Sequence, residues 1–122
     1  MAEMEKLVVI STIGEENPEK ATLPFVLATA AQSMDVEVTI ILQASAVMFA
    51  KEGEAEKTNA KGLMPLKKLL DTFMELGGKL MLCSPCLKER NISANELIDG
   101  STVIAAGTVV TEVLSATSVV TY

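Results

Sequence analysis

Residues 6–12 read Lys-Leu-Val-Val-Ile-Ser-Thr, an apolar, β-branched run without polar alternation at its centre, which is the pattern of a parallel strand covered on both faces. The pattern breaks over residues 13–17. Asn17-Pro18-Glu19 then supplies a strong helix start, with a capping Asn, a proline at the first helical position and an acid in the first turn. The spacing predicts a helix to about Met34 with Ala21, Phe25, Ala28 and Gln32 on one face, and Leu23 and Leu27 beside it. Pro24 falls early enough in that helix to be tolerated. Residues 36–42 form a second strand pattern, so the opening third of the chain reads as a βαβ unit with parallel pairing.

Residues 44–51 fit a short helix. The charged, aperiodic stretch 52–61, with Gly53 and Asn59, reads as a mobile solvated loop, a docking or lid role being the alternative. Leu63, Leu66, Leu69, Leu70 and Phe73 recur at helical spacing over residues 62–76, and Gly77-Gly78 ends that helix. Residues 79–83 are a third strand, Ser93 to Glu96 fits a capping box for one helical turn stopped by Gly100, and residues 101–106 and 118–122 are a fourth and a fifth strand. Over residues 108–117 Val109, Val110, Thr111 and Val113 favour strand by propensity. The alternating pattern nevertheless requires a crossover there, so a helix is expected, with a hairpin as the alternative. The expected architecture is a single three-layer α/β domain with a mostly parallel sheet of five strands.

The 122 residues carry 10 Lys plus Arg against 16 Asp plus Glu, a formal charge of -6. Nucleic acid and anionic membrane are thereby disfavoured as partners, since both require clustered basic residues. An aromatic content of 3% gives no stacking platform for bases or sugars. No apolar run approaches the roughly 18 residues of a spanning helix, and the leading residues are acidic where a signal peptide is basic. A cytoplasmic, reducing location is expected, with both cysteines present as thiols. With no histidine in the chain, Ser-His, Cys-His and His-metal schemes within one chain are excluded. Seven methionines read as core filling, while the positive mean hydropathy points to apolar area buried between subunits.

In an open parallel sheet ligands bind beyond the carboxyl ends of the strands. The segments to inspect are therefore residues 11–16, 43–45, 83–86 and 106–108. Ser11, Thr12, Gln43, Ser45 and Thr108 are candidates for a pocket mouth, or else they satisfy backbone groups at strand ends. Gly14 beside Glu15 and Glu16 does not suit an anion cradle. Only Cys83-Ser84-Pro85-Cys86 brings a nucleophile. With Ser84 as cap and Pro85 as first helical residue of a short helix through Arg90, the helix end would favour a Cys83 thiolate, with Lys88 and Arg90 adding positive charge. The alternative is a buried cysteine acting as a small apolar side chain. Three chemistries fit the spacing: zinc, which would need two further ligands from carboxylates or another chain; a dithiol switch of Cys83 and Cys86; and a sulfur carrier in which Cys83 holds a persulfide. A non-catalytic oligomeric binding module is the reading from a different class.

The segments LVVIST, NPEKA, VEVTIIL, GGKLMLCSPCLKERNI and VIAAGTVVTEVLSATSVVTY together resemble the DsrE/DsrF/TusD family of small sulfur-relay proteins. The resemblance implies a flavodoxin-like (DsrE-like) α/β fold spanning residues 1–122 and assembly into a homotrimer or homohexamer. It also implies an active cysteine after the third strand, Cys83 here, that carries sulfur as a persulfide between donor and acceptor proteins or small thiols. No cofactor or metal is implied. Cys86 departs from the small apolar residue of better-known members, which implies that a persulfide or disulfide is resolved internally.

Overall fold

The computed structural model describes residues 4–122, so the acidic lead at residues 1–3 lies outside them. Five strands, β1 Lys6–Ser11, β2 Glu37–Leu42, β3 Lys79–Cys83, β4 Ser101–Ile104 and β5 Ser118–Thr121, pair in the order β4-β3-β2-β1-β5. All four pairings are parallel. Between them lie four helices, α1 Pro18–Ser33, α2 Leu66–Glu75, α3 Ser84–Glu89 and α4 Ala106–Ser115, with 3-10 turns at Ala44–Ala50, Ala55–Lys57 and Ala94–Glu96.

The strand order determines which layer each helix joins. The connections β1 to β2, β2 to β3 and β3 to β4 all step the same way across the sheet, and right-handed crossovers therefore place their helices on one face. The connection β4 to β5 returns across the whole sheet, so α4 falls on the other face. Side-chain burial agrees with this division. Val9, Ile40, Leu42, Leu80 and Leu82 pack with Ala21, Phe25 and Ala28 of α1, Leu66, Leu70 and Phe73 of α2, Phe49, and Leu87 of α3 in the main core. On the opposite face the buried apolar side chains are Val8, Ile41 and Ile104 among the described residues, with Ile10, Met81, Val109 and Ala116 against them. The period of two along each strand accounts for this split: Val38, Ile40 and Leu42 point one way and Ile41 the other.

The expected α1 face is the one buried, and Gln32 at its end donates its Nε2 to the Phe73 carbonyl of α2 at 3.0 Å. Asn17 caps α1, its Oδ1 accepting the Lys20 N–H at 3.1 Å. The Ser93 to Glu96 turn closes as expected, with the Ser93 N–H and hydroxyl donating to Glu96 Oε1 at 2.9 and 2.8 Å. Residues 108–117 belong to a helix, α4, rather than a hairpin, and β5 runs parallel to β1. Lys6 of β1 pins this helix, its Nζ meeting Glu112 Oε1 at 2.9 Å and Ser115 Oγ at 2.9 Å.

Three expectations need correction. The helix expected over residues 62–76 begins only at Leu66, because Pro65 is non-helical at φ -54 and ψ 133 and a proline holds the residue before it out of the helical region. The stretch 52–61 is docked in its middle rather than free, since Ala55 and Thr58 are buried there. β4 ends at Ile104, because Ala105 is already the N-cap of α4.

Phe25 and Phe73 meet edge to face, ring centroids 6.5 Å apart, where α1 crosses α2. A Cβ on Gly78 would lie 2.3 Å from the Phe73 ring, which is fully buried and has nowhere to move. Gly78→Ala is therefore expected to lower the unfolding free energy by about 1–3 kcal/mol through overpacking, read as a lower urea midpoint with an unchanged slope. An unchanged midpoint would show that the ring yields.

Candidate functional site

Adjacent strands whose connections leave toward opposite faces open a crevice beyond their carboxyl ends, and that is where open α/β sheets bind ligands. In this sheet the two strands are β3, which runs into α3 on the main-core face, and β4, which runs into α4 on the other. Cys83 is the last residue of β3 and stands in register with Ile104, the last of β4. The topology thus sets the Cys-Ser-Pro-Cys segment at this switch point.

The local backbone there differs from the expected cap. Cys83 itself is the N-cap of α3, extended at φ -65 and ψ 116, and makes no capping hydrogen bond; Ser84 is the first helical residue and Pro85 follows it. Proline without an N–H costs nothing at this end of a helix. Cys86, one turn in, faces back toward Cys83, and both are half-buried free thiols. Its sulfur accepts the Ala44 N–H at 3.2 Å. Ala44 reaches it in a left-handed conformation, φ 51, which for a residue with a Cβ costs on the order of 1 kcal/mol and marks a constrained position. The tip of β2 is thereby tied to α3.

A second tie runs from β1. Ser45 Oγ accepts the Gly14 N–H at 2.9 Å and donates to Glu16 Oε2 at 2.6 Å. Gly14 is required by proximity: a Cβ there would lie 2.6 Å from the Ser45 carbonyl oxygen. Arg90 folds back over α3, its Nη1 donating to the Cys86 carbonyl at 3.1 Å. The cluster therefore draws Gly14, Glu16, Ala44, Ser45, Cys83, Cys86 and Arg90 from the three segments that follow β1, β2 and β3.

The electrostatics correct the expectation of a thiolate favoured at Cys83. Burial pushes its thiol above the ordinary value of 9.0, and the hydrogen bond to Cys86 adds to the rise; the Cys86 N–H and the Arg90 guanidinium offset only part of it. Glu16 is shifted the other way. The Ser45 hydroxyl, its own N–H and that of Gly14, and Arg90 hold its carboxyl below 4.5.

Of the residues singled out in the sequence, Cys83, Ser84, Pro85, Cys86 and Ser45 do come together. Ser11 is wholly buried and its hydroxyl has no partner, so it lies beneath the surface rather than at a pocket mouth. Thr12 is committed to the chain end, donating to the Tyr122 carbonyl at 2.7 Å. Gln43 takes part through its backbone, its N–H donating to the Ser11 carbonyl at 2.9 Å. Thr108 lies in the first turn of α4, in the layer on the other face of the sheet from α3. Glu16 and Ala44 were missed as members, because their roles depend on contacts between segments 29 and 42 residues apart. The one available signal was Gly14, whose lack of a side chain reports the close approach of another chain segment. Among the described residues no three Cys, Asp or Glu side chains converge as metal ligands, and no helix is long and apolar enough to cross a membrane.

Comparison with known proteins gives a family, two relatives and two solved structures of the same fold. A family model described as the DsrE/DsrF-like family matches residues 5–122. The uncharacterized protein MJ0989 of Methanocaldococcus jannaschii is 28% identical over 117 residues, covering 96% of this chain and 99% of that protein. The uncharacterized protein MJ0760 of the same organism is 27% identical over 108 residues, which span 88% of this chain but 39% of the relative. Among solved structures, the ychN protein from E. coli superimposes with a TM-score of 0.83 at 22% identity, covering 98% of this chain and all of that one. A protein of unknown function, MTH1491 from Methanobacterium thermoautotrophicum, does so with a TM-score of 0.68 at 11% identity, over 98% of this chain and all of that one. At these identities the two structures establish the shared fold.

Removing the Ser45 hydroxyl tests the β1 tie. Ser45→Ala is expected to raise the Glu16 carboxyl back toward 4.5, measured by carboxyl NMR titration, and to cost about 1 kcal/mol of stability near neutral pH. The sign follows from linkage: a carboxyl depressed in the folded state contributes stability above its unfolded pKa and loses it as pH falls through the folded one. The gap between wild type and Ser45→Ala is therefore expected to narrow in acid. A gap independent of pH would remove Glu16 from the account.

Proposed function

We propose that this chain, which belongs to the DsrE/DsrF-like family, is a sulfur carrier that accepts sulfane sulfur as a persulfide on Cys83 and passes it to a partner thiol. The family supports a sulfur-relay role in general terms. The observation that carries the specific reading is the placement of Cys83 at the carboxyl end of β3, at the β3/β4 switch point, with Cys86 one helical turn on. In the loading step the Cys83 thiolate attacks the outer sulfur of a donor persulfide, a new S–S bond forms, and the donor leaves as a thiolate. The raised thiol pKa keeps the ionised fraction of Cys83 small, and the greater intrinsic nucleophilicity of that fraction offsets this in part. Arg90 and the Cys86 N–H are the groups that face the charge.

The contact between the two thiols also favours a second reading, a dithiol-disulfide switch. Both readings suit a reducing, cytoplasmic setting, where such bonds are transient. The unit is one DsrE-like domain over residues 1–122, and it works as a homotrimer or homohexamer. Support for assembly comes from the thin layer: no residue of α4 is buried, and Val110 and Leu114 of α4 and Val119 of β5, which stands beside Val8, are exposed. Apolar side chains grouped in this way need a covering surface, and a second copy supplies one.

Two outcomes are expected. After exposure to a low-molecular-weight persulfide and gentle alkylation, peptide mass spectrometry should find one added sulfur on Cys83 in Cys86→Ser and none in Cys83→Ser. A Cys83–Cys86 disulfide in the wild type, with no sulfur on Cys83 in Cys86→Ser, would make the switch the function. For assembly, Leu114→Glu should convert the oligomer to a folded monomer in light scattering. A wild type that is already monomeric would refute the assembly.

A further inference from the structure

Delivery of sulfur to an outside thiol makes no use of two features of the cysteine pair. The Ala44 N–H is aimed at Cys86, at 3.2 Å, rather than at Cys83, and the unfavourable left-handed backbone of Ala44 is what brings it there. An amide N–H held against a sulfur fixes its position and supports negative charge developing on it. Cys86 is also the third residue of the helix whose N-cap is Cys83, so a nucleophile stands one turn from the atom that would bear the persulfide, close enough for the two thiols to influence each other's ionisation.

We infer that Cys86 is a resolving nucleophile that converts the Cys83 persulfide into the Cys83–Cys86 disulfide and releases the carried sulfur as hydrosulfide. The inference rests on the carrier reading above and assigns the fate of the sulfur when no acceptor is docked. The Cys86 thiolate attacks Cys83 Sγ, the inner sulfur of the persulfide. A Sγ–Sγ bond forms, the bond from Cys83 Sγ to the outer sulfur breaks, and its electron pair leaves with that sulfur and its proton as HS⁻. The sulfane sulfur gains two electrons and the two cysteines lose two, so the step balances without another reactant. A dithiol reductant then returns the disulfide to two thiols, becoming oxidised itself.

Which sulfur is attacked separates this step from transfer. An outside thiol taking the outer sulfur must expel Cys83 as a thiolate, where burial disfavours that charge, and a leaving thiol of raised pKa leaves slowly. Attack by Cys86 expels HS⁻ instead and needs no charge on Cys83. Ala44 and Pro85 beside the pair are exposed, leaving the product a route to solvent.

The test mixes reduced protein anaerobically with one equivalent of cysteine persulfide, follows hydrosulfide with a sulfide electrode, and records intact mass. The wild type is expected to release about one equivalent of hydrosulfide and to end two hydrogens lighter, and dithiothreitol should restore its mass. Cys86→Ser should keep the extra sulfur on Cys83 and release hydrosulfide at least about tenfold more slowly, close to the Cys83→Ser background. A wild type that retains the Cys83 persulfide and releases hydrosulfide no faster than Cys86→Ser would overturn the inference while leaving the carrier intact. Folded Cys86→Ser that takes up no sulfur would overturn the carrier reading and the inference with it.

Discussion

The right-handed twist of strands built from L-residues lets a parallel crossover close in one hand only, and in this chain that rule acts in two directions. Three successive steps one way put α1, α2 and α3 on one face; the single return from β4 to β5 puts α4 on the other. The reversal makes a switch point between β3 and β4, and Cys83 is the last residue of β3 there. Moving β5 to the far edge beside β4 would remove both the switch point and the separate layer of α4. Site position and unequal face coverage are thus two consequences of one constraint.

Around the cysteines the structure spends stability to hold atoms in place. Ala44 is held in a conformation that a Cβ disfavours, Cys83 is kept in surroundings that oppose its ionisation, and the Ser11 hydroxyl is buried without a partner. Each runs against the trend for a stable core, and such departures concentrate where geometry serves chemistry. The compensations are local. Ser45 joins Gly14 to Glu16, and Arg90 returns to the Cys86 carbonyl, so the loops after β1, β2 and β3 brace one another.

The unequal layers also explain how a short acidic chain accommodates so much apolar sequence. The main core takes the three phenylalanines and most of the leucines, whereas the valine-rich segment after β4 covers a small apolar strip and leaves Val110 and Leu114 outside. That segment forms a helix despite its β-branched composition because residues 105–117 must span from one edge of the sheet to the other, beyond β1. A crossover of that length is made by a helix, and packing of Val109 and the Lys6–Glu112 ion pair outweigh propensity.

Much of the fold was legible in the chain because its signals are local: apolar, mostly β-branched runs for the strands, Asn17-Pro18 and Gly77-Gly78 as boundaries, and the Ala21, Phe25, Ala28 spacing for the buried side of α1. The cysteine segment was legible for the same reason, as the one nucleophile at a strand end. What the sequence determined by itself is therefore the kind and order of elements and the two thiols one helical turn apart, since each depends on neighbours a few residues away. Tertiary structure alone decided the strand order, the protonation tendency of Cys83, and the recruitment of Glu16 and Ala44. These depend on desolvation and on hydrogen bonds between segments dozens of residues apart, and no local pattern records which surfaces will meet.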